Sequence, residues 1–163
     1  MKNVRELCRN LTEYLKQNGL SAMGAWPKEK RLRPGKAVVS VSLRKWESGP
    51  PGFQDYLGER YDEAAGQWEE LYGKRVELTF GLDLYAATAE EVQAGVDDLG
   101  AALGQGGPEG FKLTDFSAGE TTYQTEAKRY FCPAQVKFAA WVVALAREDG
   151  SFLDFEVRGE NRA

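Results

Sequence analysis

The stretch 74–86 alternates side chains for thirteen residues. Val76, Leu78, Phe80, Leu82 and Leu84 fall on one side. Arg75, Glu77, Thr79, Gly81, Asp83 and Tyr85 fall on the other. An extended backbone points successive side chains to opposite faces, so this pattern predicts a strand with one buried face and one wet or partner-covered face. Strands usually run about 5–6 residues, so this one is long enough to organise a sheet.

The chain has 163 residues, of which 42% are hydrophobic and 28% charged. That suits one domain with its own core, and it is neither a disordered nor a membrane composition. No apolar run approaches the roughly 20 residues that span a bilayer, and the N-terminus mixes charge with apolar residues at helical spacing, unlike a signal peptide. A protein made and folded in a cytoplasm is expected. The two cysteines, Cys8 and Cys132, are far apart and read as reduced core thiols. The net charge of −4 argues against general nucleic-acid binding. The absence of histidine removes the commonest general base and the commonest metal ligand together.

Val4, Leu7, Cys8, Leu11, Tyr14 and Leu15 recur at helical spacing, and Asn18-Gly19 supplies a left-handed stop, which predicts an amphipathic helix over 4–18. Residues 20–27 suggest a short edge strand ended by a proline. A basic loop follows, with Lys28, Lys30, Arg31, Arg33 and Lys36 against a single Glu29. Like charges at this density repel unless a partner compensates them, although a solvated loop is the plainer reading. Alternation returns over 37–46, with Ala37, Val39, Val41 and Leu43 on one side. Gly49-Pro50-Pro51-Gly52 then breaks the strand.

In residues 53–73, Phe53, Tyr56, Tyr61, Trp68 and Tyr72 are interleaved with Asp55, Glu59, Asp62, Glu63, Glu69 and Glu70. A turn at 63–66 would make this a hairpin leading into the long strand, so the arm runs from about 53 to 86. A helix over 59–72 is the rival, but Gly58, Gly66 and Gly73 speak against it. An isolated hairpin is marginal in water, so the arm is expected to gain order by packing on another surface.

Thr88-Ala89-Glu90-Glu91 has the form of a capping box, and Val92, Val96, Leu99 and Leu103 continue at helical spacing to a glycine-rich stop. Phe111, Leu113 and Phe116 predict a strand, with a turn at 117–119. Residues 121–129 read as exposed strand or loop, 131–146 as a long strand apolar on both faces in its second half, 148–150 as a turn, 152–157 as a last strand and 158–163 as a charged tail. The order predicts a single α+β domain: a mainly antiparallel, mixed sheet, two amphipathic helices on one face, and a protruding hairpin.

Few constellations carry chemistry. The glycine-rich 104–110 follows a helix and lacks a phosphate-loop lysine, so it reads as a connection. Without histidine, no Ser-His or Cys-His dyad can form. The pairs Glu69-Glu70, Glu90-Glu91 and Asp97-Asp98 fall on what read as wet faces. No catalytic, metal or cofactor site is expected. Tyrosine and tryptophan with few lysines suit a protein–protein interface.

Two segments carry a resemblance: Pro50-Pro51-Gly52-Phe53-Gln54-Asp55-Tyr56-Leu57-Gly58-Glu59-Arg60-Tyr61, and Trp68-Glu69-Glu70-Leu71-Tyr72-Gly73 running on to Val76-Glu77-Leu78-Thr79-Phe80. With the element order, they resemble small proteins encoded among the tail genes of Firmicutes prophages and the tail terminator family. The resemblance implies a hexameric ring that caps the tail tube, stops its polymerisation and meets a head connector or collar. In contractile tails and phage-tail-like bacteriocins the ring also meets the sheath protein. It implies assembly in the host bacterial cytoplasm, a place at the head-proximal end of the particle, and no membrane or specific nucleic-acid partner. The chemistry of the residues adds a candidate interface between neighbouring subunits. Lys30, Arg31 and Arg33 would face Glu59, Asp62 and Glu63 of the next subunit, or an adjacent tube or sheath ring, beside Tyr56, Tyr61, Trp68 and Tyr72. Another neck, head–tail joining or baseplate part is the alternative, or a small ligand-binding domain or enzyme that uses carboxylates in a pocket.

Overall fold

The predicted strand is longer than its alternation suggested, because the hairpin's second strand runs into it without a break. The structure, a computed structural model, describes residues 3–24, 35–48, 55–108, 111–147 and 152–159. The described elements are α1 (Val4–Gln17), β1 (Ser21–Met23), β2 (Val38–Ser48), β3 (Asp55–Asp62), β4 (Gln67–Ala86), α2 (Ala89–Gly104), β5 (Lys112–Ala118), β6 (Thr122–Gln124), β7 (Arg129–Cys132), β8 (Ala134–Arg147) and β9 (Phe152–Gly159). At 20 residues β4 extends roughly 60 Å. The architecture is α+β, with one mixed sheet in which β1–β2 is parallel and every other described pairing is antiparallel.

The long partner of β4 is the stretch 129–147. Its pairing keeps one register from Glu69↔Arg147 to Gly81↔Gln135, and resumes in that register from Leu84↔Cys132 to Ala86↔Tyr130. Only Pro133 interrupts it, because proline has no N–H for the ladder. Its carbonyl instead accepts from Gly119 N–H at 2.7 Å. The strand expected over 131–146 is therefore two strands in line, β7 and β8. The polar 121–129 stretch holds β6, then a turn in which Lys128 takes φ 51°, then the start of β7. The turn expected at 117–119 comes later, because Ser117 and Ala118 are still in β5.

Both helices cover the same face. Val76, Leu78, Phe80, Leu82, Leu84 and Ala86 of β4 pack in one core with Leu7, Leu11 and Leu15 of α1 and Val92, Leu99 and Leu103 of α2. Tyr14 Oη ties the helices together by donating to Ala102 O at 2.8 Å. Phe80 and Phe138 meet edge to face at 5.5 Å, and a fully buried phenylalanine side chain contributes about 1.5–3 kcal/mol.

The helix ends show both local rules and tertiary override. Asn3 and Glu6 form a reciprocal capping box at α1, and Gly19, at φ 86°, ends that helix as expected. At α2 only half of the predicted box forms. Thr88 accepts from Glu91 N–H, but the Glu91 carboxylate turns away to accept from Gly35 N–H at 2.9 Å. An incoming loop competes for that carboxylate and wins.

Beyond Val76 and Val142 the helix-covered core ends, yet the sheet continues. Here β3 and β8 flank opposite edges of β4, and β9 flanks β8. The arm is thus not a lone hairpin seeking an external surface. It is a four-stranded blade made of two hairpins, β3–β4 and β8–β9, joined through β4 and β8. The closing strand runs to Gly159, so Arg158 pairs opposite Trp141 and is not part of a tail. Residues 160–163, like Phe53, lie outside the described residues.

At Gly95 α2 packs tightly against Leu84 of the sheet and Ala37. A Cβ there would lie 2.7 Å from Leu84 Cδ2 and 2.8 Å from Ala37 Cβ. Alanine would gain about 1 kcal/mol of helix propensity, but overpacking a filled core costs about 1–3 kcal/mol. Gly95→Ala is therefore expected to lower stability despite its better propensity. Urea unfolding checks the sign, and a raised midpoint would contradict this packing.

Candidate assembly interface

The two faces of the sheet treat charge differently. On the face away from the helices, charges find partners within the face. Arg44 pairs with Asp83 by lying over Gly81, where any side chain would collide with the guanidinium. Lys45 pairs with Glu47 at 2.6 Å, and Lys137 with Glu77 at 3.7 Å. Arg129 lies 4.2 Å from the centre of the Tyr85 ring. Further along this face, in the blade, Arg60 Nε donates to Glu69 Oε2 at 2.8 Å, and Glu69 is buried.

The helix-side face of the blade carries three cross-strand pairs in a row: Tyr56↔Tyr72, Glu59↔Glu70 and Tyr61↔Trp68. Their side chains share a face because a bulge between Tyr56 and Gly58, with Gly58 at φ 132°, absorbs one residue of β3. The outer pairs are edge-to-face rings, 5.6 Å apart for Tyr56–Tyr72 and 5.4 Å for Tyr61–Trp68. Tyr56, Tyr61 and Trp68 remain 55%, 51% and 49% exposed. The middle pair sets two carboxylates directly opposite each other, an arrangement that destabilises a sheet. Tyr72 Oη donates to Glu70 Oε2 at 2.8 Å. That bond first, then lost solvation, raises the Tyr72 hydroxyl above its ordinary value. Lost solvation first, then the charge of Glu59, does the same to Tyr56. Both hydroxyls therefore stay protonated donors.

The structure brings five of the predicted interface residues together: Tyr56, Glu59, Tyr61, Trp68 and Tyr72. It does not place Asp62 among them. Asp62 Oδ1 accepts from Ala64 N–H and Ala65 N–H, and its carbonyl from Gly66 N–H, so this aspartate builds the turn. Glu63 is exposed in that same turn. Lys30, Arg31 and Arg33 lie outside the described residues.

Leu43 and Trp46 extend the exposed row toward the helices, and the sequence reading missed both. Leu43 shares its side of β2 with the buried Val39 and Val41 but is 36% exposed, and Trp46 is 39% exposed. They stand opposite Phe80 and Leu78, on the same face although three residues apart, because the strand bulges at Arg44. An extended strand without a bulge would set them on opposite faces. The available signal was the close approach of Arg44 to Gly81, which needs the tertiary structure.

An open groove of about 400 Å³ beside the first turns of α2 is lined in part by Lys36, Glu90, Glu91 and Asp98. Among the described residues, no group of three or more acidic residues or cysteines is placed to hold a metal ion. No described helix is long and apolar enough to cross a membrane. Compared with known proteins, the chain matches no family model and no curated sequence.

Burial raises the Asp83 carboxyl above its ordinary value of 3.8, and the opposing pull of Arg44 offsets this only in part. A raised carboxyl binds its proton more tightly in the folded state, so its contribution is full below 3.8 and fades as pH rises through the raised value. The stability of the natural chain relative to Asp83→Asn is therefore expected to increase on going from about pH 7 to about pH 4. Urea midpoints of both proteins at the two pH values check this. A difference that stays flat or shrinks on acidification would contradict it.

Proposed function

We propose that this chain is a structural subunit of a phage tail or phage-tail-like particle. In this reading it assembles into a head-to-tail ring, hexameric as in the tail terminator family it resembles, that caps the tail tube and ends its polymerisation. The observation that carries the reading is the four-stranded blade. It extends the sheet past the helix-covered core and leaves a row of aromatic side chains exposed. A domain built only to hold a small ligand gains nothing from such an extension, whereas exposed aromatic rows are what association surfaces use. Among the described strands, β3 and β9 pair on one side only, so each blade also offers two free edges.

The partners in this proposal are further copies of the chain, the tail tube protein, and on the other side a sheath protein or a head connector or collar. The subunit is made in the bacterial cytoplasm and ends at the head-proximal end of the particle. It has no membrane step, no specific nucleic-acid contact, no cofactor and no reaction of its own.

Disrupting the gene in the producing cell is expected to give tubes of uncontrolled length. Label attached to the protein should mark one end of normal tails in electron micrographs. Normal tail length without the protein, or label along the whole tube, would sink this proposal. Label at the baseplate end would point to a different tail part.

A further inference from the structure

The row Tyr56/Tyr72, Glu59/Glu70, Tyr61/Trp68 has a specific chemistry. Two carboxylates face each other between two aromatic pairs, in a register that costs stability in the isolated chain. A planar cation resolves that conflict. A guanidinium donates to both carboxylates through its forked N–H groups and stacks on flanking rings, which an ammonium does less well. Successive pairs on one face of a strand recur at roughly 7 Å, and cationic side chains two residues apart on an extended segment recur at the same spacing. On the opposite face the one comparable pair, Glu47 opposite Glu77 among the described residues, already has cations beside it, Lys45 at 2.6 Å from Glu47 and Lys137 at 3.7 Å from Glu77.

We propose that this row receives the basic segment 28–33 of a second copy of the chain, with the guanidinium of Arg31 or Arg33 set between Glu59 and Glu70 and the other stacked on a flanking aromatic pair. This rests on the assembly reading above and names the contact through which copies engage. Charge complementarity selects the occupant: Lys28, Lys30, Arg31 and Arg33 stand against one Glu29. Geometry requires that it come from another copy. Arg31 is tethered four residues from Gly35, which allows at most about 14 Å of chain. Gly35 is bonded to Glu91 at the first turn of α2, beyond the Ala86 end of β4. Tyr72 lies fourteen residues from Ala86 along β4, about 46 Å away. A segment that cannot reach its own row and complements it in charge makes a heterologous contact, the kind that closes rings.

The test uses the full chain in two charge-reversed forms, Glu59→Lys with Glu70→Lys, and Arg31→Glu with Arg33→Glu. Each form alone is expected to self-associate roughly tenfold or more weakly than the natural chain in sedimentation velocity at up to millimolar concentration. An equimolar mixture should recover association, because each form then supplies what the other lacks. Circular dichroism of each form confirms that it is folded. The proposal is overturned if the natural chain stays monomeric, if either reversed form associates normally, or if two folded forms fail to rescue each other. The readout needs no tail, so it stands apart from the tail-length test. Rescue without tail capping would remove the assignment to a tail and keep the contact.

Discussion

The rest of this structure depends on the antiparallel ladder between β4 and the in-line pair β7 and β8. A single register holds from Glu69↔Arg147 to Ala86↔Tyr130, paused only where Pro133 has no N–H. Because side chains alternate with a period of two, that register sets the whole face. A slip by one residue would move Val76, Leu78, Phe80, Leu82 and Leu84 from beneath the helices to the opposite side. The ladder also explains how the blade stands without helices. Its two hairpins would each be marginal alone, and four paired strands pass the size at which a sheet holds together.

Charge then distinguishes two surfaces of one sheet. The face away from the helices neutralises itself, with Arg44 on Asp83, Lys137 near Glu77 and Lys45 near Glu47. Exposed pairs of this kind add little stability, but each carboxylate in them has a cation beside it. The helix-side face of the blade sets Glu59 against Glu70 and surrounds them with exposed rings. A local arrangement that conflicts with the stability of the isolated chain is where a functional constraint is expected. Two bulges build this surface. The one at Arg44 turns Leu43 and Trp46 to the same side, and the one before Gly58 aligns Tyr56 with Glu59 and Tyr61. Bulges re-aim side chains without changing the sequence periodicity around them.

Much of the fold was legible in the sequence, for reasons that are local. Alternation in 74–86 marked the buried face of β4, helical spacing marked α1 and α2, and the 63–66 stretch with Gly66 marked the turn that makes residues 53–73 a hairpin. The candidate site was legible in part. Interleaving of aromatic and acidic residues singled out Tyr56, Glu59, Tyr61, Trp68 and Tyr72. Asp62 looked like another surface acid, although its side chain serves the turn. Glu91 looked like half of a capping box, although a distant loop takes its carboxylate. Each of these misreadings concerns a hydrogen bond chosen among competing partners.

The sequence by itself determined which residues face the core, because burial follows a periodicity carried by the chain. Only the tertiary structure decided that the hairpin would be completed by β8 and β9, that Leu43 and Trp46 would join the exposed row, and that Glu59 would stand opposite Glu70. Those outcomes depend on strand pairing between residues up to 78 positions apart, as for Glu69↔Arg147, and on single-residue bulges. Neither leaves a periodic trace, since pairing partners are selected by long-range closure of the sheet and a bulge adds one residue without altering the residues beside it.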